Sequence, residues 1–325
     1  LLQHHFNDTS LHKLQSVQSL WSGYGEIARY ASPKNRQTYI VKHIAAPKPQ
    51  THPRGWNTDK SHLRKVKSYE VETYWYENYN QLCSAESKTP NFIGSFSEGK
   101  DQWIVLEDLS TNYPLRKDFL NLDEVKVCLK CLANFHATFL NKEPNGLWKI
   151  GTYWHLETRQ EELEIMKDQN LKDAAPLLDK KLNCANFQTL VHGDAKLANF
   201  LFCNSDNCAA VDFQYVGRGA GIKDIVYFLS SVFNEQELEE NQDFCLDYYF
   251  QELKLALDSD NDFYKIEREW RELYTVAWAD FYRFLIGWSP DHFKINSIIL
   301  EVKGLIFELE LNSSFIFVIE VMIVE

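Results

Sequence analysis

The sequence predicts an α+β protein of two lobes: a small N-terminal lobe built on an antiparallel sheet with one main helix, and a larger, mainly helical C-terminal lobe. Three observations lead there. Through the first hundred residues, short strand-like runs bounded by turn residues surround one long helical pattern. After Asp108 helical stripes dominate, and strands shrink to Leu190–Val191, Phe200–Cys203 and Ala209–Phe213. Between the two regimes an apolar strand, Trp103-Ile104-Val105-Leu106, runs into Glu107-Asp108-Leu109, with a short connection near 107–114. The expected lobes are residues 1–108 and 109–297. Residues 298–325 stand apart as an atypical tail to which no role is assigned.

Within the first lobe, Glu26 to Ser32 and Thr38 to His43 read as strands joined by the hairpin signal Pro33-Lys34-Asn35. Ala45 to Lys60 holds three prolines, a glycine and many polar residues, and reads as a surface loop. Leu63 to Leu82 is the main helix, followed by strands at Phe92–Phe96 and Trp103–Leu106. In the second lobe Leu122 to Leu140 carries a helical stripe with Asp123 and Glu124 in the first turn, where acids suit the helix dipole. Helical patterns recur around 155–170, 223–233, 235–257 and 263–288.

Bulk properties narrow the function. The chain has 325 residues, of which 46 are acidic and 34 basic, for a net charge of -12. A nucleic-acid partner would need a strong basic surface against that balance, so none is expected. Seven scattered cysteines, an odd number, suit a reducing, cytoplasmic setting rather than a disulfide framework. Cys128 and Cys131 form a C-x-x-C inside a helical stripe, where packing explains them better than a metal or redox pair. The start, Leu1-Leu2-Gln3-His4-His5, lacks both an initiator Met and an apolar leader core and reads as trimmed or incompletely given. The run Phe315 to Val324 is half the ~20 residues a bilayer span requires. No membrane partner is expected, and the oligomeric state is not legible.

The chemistry is concentrated in Leu190-Val191-His192-Gly193-Asp194-Ala195-Lys196-Leu197-Ala198-Asn199, followed by Val211-Asp212-Phe213. An Asp and an Asn separated by four residues, with His two before the Asp, match a phosphotransfer catalytic loop. One carboxylate, Asp194, accepts or orients the proton of an attacking hydroxyl, with His192 and Lys196 beside it. A second carboxylate, Asp212, and the Asn199 amide oxygen suit Mg²⁺ on a triphosphate. A hairpin turning at Asn204-Ser205-Asp206-Asn207 would bring Asn199 and Asp212 near each other. The spacing by itself is only moderately specific; the later Asp after an apolar run sharpens it.

Upstream residues fall where ATP needs them. Trp21-Ser22-Gly23-Tyr24-Gly25-Glu26 is a short loop with glycines at Gly23 and Gly25, a weak signal alone. Tyr39-Ile40-Val41-Lys42 ends an apolar strand on a Lys able to grip phosphate. Glu72 on the main helix could pair with Lys42, and Glu70 competes for that role. Backbone around Leu106, Glu107 and Leu109 would face adenine.

In this order the motifs resemble the aminoglycoside phosphotransferase and choline kinase-like superfamily, nearest its ecdysteroid kinase-like branch and related bacterial phosphotransferases, over roughly residues 18–295. The resemblance rests on Gly23 and Gly25, Lys42, Glu72, Glu107-Asp108, His192-Gly193-Asp194 with Asn199, and Asp212-Phe213-Gln214. It implies a protein-kinase-like fold and ATP-dependent phosphorylation of a small-molecule hydroxyl in a cleft between lobes. Choline-, antibiotic- and steroid-like acceptors all occur in the superfamily. Protein kinases place Arg where Gly193 stands, although a Lys at the position of Lys196 also occurs among them. They also need a longer activation segment than Phe213 to Lys223 before Asp224. Asp224 reads as a helix cap or loop anchor. An enzyme acting on polypeptide and a non-catalytic nucleotide-binding module are the alternative readings. On the substrate side, Tyr215, Trp278, Asp280, Tyr282 and Trp288 could wall a pocket for a cationic or amphipathic alcohol, or form packing stripes.

Overall fold

The computed structural model describes residues 1–45, 59–203, 206–257 and 262–289. Most of the expected loop 45–60, the turn residues Asn204 and Ser205, and the tail 298–325 lie outside the described residues. The chain divides into two compact units. The first comprises Leu1–Lys117 with Phe200–Gln214; the second comprises Asp118–Asn199 with the residues from Tyr215 onward.

The first unit is a five-stranded antiparallel sheet, β1 (His12–Ser19), β2 (Gly25–Ser32), β3 (Gln37–Ile44), β4 (Phe92–Glu98) and β5 (Asp101–Glu107), in the order β1-β2-β3-β5-β4. Its register sets Lys42 between Ile27 on β2 and Ile104 on β5. Only the centre of the sheet is dry: Val41, Ile104 and Val105 are buried, whereas every residue of β1 is exposed. Helix α1 (Asp59–Asn78) contributes Tyr69, Val71, Glu72, Trp75 and Tyr76 to the interior and leaves Glu70 in solvent. A small hairpin, Phe200–Cys203 with Asn207–Ala210, also belongs to this unit.

The second unit is mainly helical: α2 (Leu122–Thr138), α3 (Gln169–Asn183), α4 (Ile222–Val232), α5 (Glu235–Ala256), α6 (Phe263–Glu272) and α7 (Tyr274–Trp288). A two-strand ribbon, Thr189–Val191 with Gly217–Gly219, is set among them. Helix α2 starts on a capping box, in which the Asn121 side chain accepts from the Glu124 N–H and the Glu124 carboxylate from the Asn121 N–H, both at 3.0 Å. It packs along α5, while α3 and α4 pack on α7. Cys128 and Cys131 are buried on α2, as packing residues are.

The elements differ from expectation in three places. The helical pattern at 155–170 resolves into a 3₁₀ turn, Leu156–Thr158, and the short helix Gln160–Glu164. The longer helix comes later, starting where the Asp168 side chain accepts from the Leu171 N–H at 3.1 Å. Strand β1 and the strand Gly217–Gly219 were not anticipated.

Candidate active site

In the first unit the centre is a buried ammonium. Lys42 Nζ donates to Glu72 Oε2 at 2.7 Å and to Asp212 Oδ1 at 3.1 Å, joining a strand, a helix and a distant loop. Glu72, not Glu70, is therefore the partner; Glu70 lies in an exposed pair with Lys67 at 3.6 Å. Burial opposes the Lys42 charge, but Asp212 and Glu72 outweigh it and hold its pKa above the ordinary lysine value. Burial pushes Glu72 upward against the pull of Lys42. Asp212 has a left-handed backbone, φ 71°, a conformation that aspartate tolerates better than most residues. Its neighbours fix it: Phe213 stacks on Trp75 with centroids 4.7 Å apart, and Gln214 Oε1 accepts from Lys65 Nζ at 2.9 Å.

The glycine loop is built on the β1–β2 turn. Leu20 N–H donates to Gly25 O and Ala45 N–H to Tyr24 O, both at 2.8 Å. Gly25 has φ 126°, and a Cβ there would stand 2.0 Å from the His43 carbonyl oxygen, so only glycine fits. Gly23 faces open space. The Tyr24 hydroxyl is hydrogen-bonded to His62 Nδ1 on α1 at 2.5 Å, a link between residues 38 apart in the chain.

At the end of β5, Leu106 and Leu109 are buried. Glu107 accepts from Lys88 Nζ at 2.9 Å and from Asn91 N–H at 3.0 Å, and its own N–H donates to Asn91 O at 2.9 Å. Asp108 pairs with Arg29 at 2.6 Å and caps Ser110.

In the second unit the loop 192–199 is tightly tied. Asp194 is 6% exposed. Lys196 Nζ donates to its two oxygens at 3.2 and 3.0 Å, and Asn199 Nδ2 donates to Asp194 Oδ2 at 3.1 Å and to its backbone O at 2.8 Å. The Asn199 amide nitrogen is thus engaged, which leaves its carbonyl oxygen as the group able to meet a cation. Gly193 has φ 79°, and a Cβ would stand 2.1 Å from Tyr215 O. Asp224 lies under the loop and is fully buried. It accepts the N–H groups of His192 at 2.6 Å and Gly193 at 3.0 Å, with His136 Nε2 at 3.1 Å. Of its two expected roles it fills that of loop anchor.

His192 is buried, and its Nδ1 accepts from the Asp194 N–H at 3.2 Å. That hydrogen bond staples the backbone of the loop next to Asp194. Two residues absent from the sequence reading lie by the loop: the Tyr153 N–H donates to Gly193 O at 3.1 Å, and the Tyr227 ring on α4 lies edge-on to Tyr153 with centroids 5.4 Å apart. Both phenols are held neutral, their pKa values raised first by burial.

The five candidate substrate residues divide. Tyr215 and Trp288 are half-buried ends of an aromatic chain. In it Tyr215 lies 5.8 Å from Tyr153, Tyr153 5.3 Å from Phe284, and Phe284 5.7 Å from Trp288. Asp280, Trp278 and Tyr282 are buried in α7. Asp280 is committed to Arg283 at 2.7 Å and to Trp154 Nε1 at 3.1 Å, so the expected pocket carboxylate is an internal counter-ion. Periodicity could not separate the two sets; Phe284, four residues before Trp288, was the available hint.

Residues 149–261 match the Ecdysteroid kinase-like family. No curated protein sequence matches the chain. Among solved structures, the microcompartment-associated aminopropanol kinase is similar at 12% identity and TM-score 0.52, covering 94% of each chain. The choline kinase LicA from Streptococcus pneumoniae is similar at 15% identity and TM-score 0.50, covering 94% of this chain and 97% of that one. The protein therefore has a kinase-like fold like that of these solved structures, with a stretch at 149–261 that matches the Ecdysteroid kinase-like family.

Proposed function

We propose that the protein is an ATP- and Mg²⁺-dependent phosphotransferase acting on a hydroxyl of a small molecule. The observation that carries this reading is the buried Lys42 held between Glu72 and Asp212. An ammonium fixed in this way is a preset point charge for the α- and β-phosphates, with no side-chain entropy left to lose on binding. Asp194, held by the Asn199 amide and Lys196, is the carboxylate assigned to the proton of the acceptor hydroxyl. The loop at Gly23 and Gly25 covers phosphates, and the chain at Leu106, Glu107 and Leu109 takes the adenine.

The oxygen donors Asn199 and Asp212 fit Mg²⁺, a hard cation that prefers carboxylate and carbonyl oxygen. Among the described residues no three His, Cys, Asp or Glu side chains form a metal centre on their own. A magnesium carried on nucleotide phosphates needs only one or two protein carboxylates, a demand that Asp212 alone can meet. Such an ion would neutralise charge on the transferred phosphoryl group.

The acceptor assigned is a cationic or amphipathic alcohol, which the aromatic chain from Tyr215 to Trp288 suits through cation–π and apolar contact. The test is ADP release by the full chain with MgATP and a panel: choline, aminopropanol, an aminoglycoside, an ecdysteroid and polypeptides. Stimulation by a small alcohol is expected. Stimulation by polypeptide alone, or none above the acceptor-free rate, would overturn the proposal.

A further inference from the structure

We infer that Gln214 is a positioning residue for the metal site proposed above: latched to Lys65 on α1, it holds the Asp212 backbone in the conformation that sets the carboxylate beside Lys42. The inference rests on the reading of Asp212 as the Mg²⁺ carboxylate. It gives a role to Gln214 and brings in Lys65, which no motif marks.

Asp212 needs holding. Its φ of 71° lies in the left-handed region, and a residue other than glycine stays there only where its surroundings over-determine it. Its bond to Lys42 Nζ, at 3.1 Å, is longer than the 2.7 Å bond the same ammonium makes to Glu72, and the Asp212 side chain is 34% exposed. That contact by itself fixes the carboxylate loosely.

The remaining grip comes from one face of α1. Lys65, Ser68, Glu72, Trp75 and Tyr76 recur at three- and four-residue steps, which places them on one stripe of the helix. Successive levels of that stripe serve three consecutive residues. Glu72 reaches Asp212 through Lys42. Trp75 and Tyr76 take the Phe213 ring, with centroids 4.7 and 5.9 Å away. Lys65 Nζ donates to Gln214 Oε1 at 2.9 Å, and Ser68 Oγ lies 3.4 Å from the same oxygen. The aromatic contacts centre a ring, whereas the Gln214 bond is directional, so both polar ends of the tripeptide are tied to α1.

The residue types fit this task. An ammonium only donates, so the Gln214 amide must turn its oxygen to Lys65. Gln214 is buried, where losing a bond to a charged donor is most costly. Its amide is also neutral, and it holds a second lysine without adding a carboxylate that would compete with Asp212 for Lys42 or the metal. That distinction matters at close quarters: Lys65 and Lys42 stand over one ring, 4.7 and 5.5 Å from the Tyr69 centroid.

Lys65→Met and Gln214→Ala are the tests, in the full chain, by calorimetry of ATP with and without Mg²⁺. Each should reduce the Mg²⁺-dependent tightening of ATP binding about tenfold, the loss of one charged hydrogen bond, and leave metal-free ATP affinity within about twofold. The double variant should lose no more than either single one, because the two residues act as a pair. Lys65→Arg, still a donor, should recover most of the effect. Unchanged metal dependence in both single variants overturns the inference, as do additive losses or an equal loss of metal-free affinity. A second readout needs no nucleotide: in crystal structures of parent and Gln214→Ala, Asp212 should leave its left-handed conformation or its contact with Lys42, and an unaltered Asp212 overturns the inference. If Mg²⁺ does not tighten ATP binding to the parent, the metal reading fails by itself, and the Asp212 comparison still decides what Gln214 does.

Discussion

The two units hold their candidate carboxylates by different means. In the first, charge meets charge: Glu72 and Asp212 flank the Lys42 ammonium, and Asp108 meets Arg29. In the second, Asp194 takes the Asn199 amide besides Lys196, and Asp224 takes two backbone N–H groups and a histidine ring. Charge pairs in a dry site are strong but weakly directional, which suits a lysine that must present positive charge to phosphates. Neutral donors are weaker and strongly directional, which suits a carboxylate that must meet one proton. The first unit should thus be most sensitive in nucleotide affinity, the second in turnover.

The largest break of that contrast is Asp194→Asn. Nucleotide binding should stay nearly intact while turnover falls about a hundredfold or more, because an amide cannot accept the proton. Near-normal turnover in a folded variant would remove Asp194 from the chemistry. Asp212→Ala should act on the other side: calorimetry with and without Mg²⁺ should show that the metal no longer tightens ATP binding. An unaltered metal dependence would take Asp212 out of the metal site.

A finer break lies within the first unit. Lys42→Ala should weaken ATP roughly tenfold, since charge-assisted contacts to phosphate are lost. Glu72→Gln should cost less, because Asp212 still holds the ammonium at 3.1 Å. Glu70→Gln should leave ATP affinity unchanged, as its exposed pair with Lys67 contributes little. A larger loss for Glu70→Gln than for Glu72→Gln would reverse the geometric assignment.

Legibility followed the same divide between charge and direction. His192-Gly193-Asp194 with Asn199, and Lys42 at the end of an apolar strand, stood out because charged and amide residues are rare in apolar surroundings, whereas the choice between Glu70 and Glu72 needed the helix face. Strands β2 to β5 were readable from alternation and turns. Strand β1, His-Lys-Leu-Gln-Ser-Val-Gln-Ser, exposes every residue, so no burial pattern was written into it. Gly217-Arg218-Gly219 is too short and too glycine-rich to signal a strand. Helix α3 carries Pro176 within its span, which weakens the pattern, while Asp168 caps a start that periodicity placed earlier.

The smallest expected effect tests the division among the substrate-side residues of α7. Trp288 is half-buried and stacks on Phe284, at the end of the aromatic chain that leads through Tyr153 to the neighbourhood of Asp194. A cation on an indole face gains ~0.5–2 kcal/mol, so Trp288→Ala should raise the acceptor KM several-fold for a cationic alcohol and barely move the KM for ATP. A neutral alcohol of similar size should show a smaller change. Asp280 lies on the same helix but is buried against the Arg283 guanidinium at 2.7 Å. Asp280→Asn removes the counter-ion of a buried charge, a loss of about 3–5 kcal/mol in comparable sites, and should appear as a lower melting temperature with no selective change in acceptor affinity. The reverse pattern, a folded Asp280→Asn with a raised acceptor KM and an inert Trp288→Ala, would mean that the carboxylate faces the acceptor and the aromatic chain is packing.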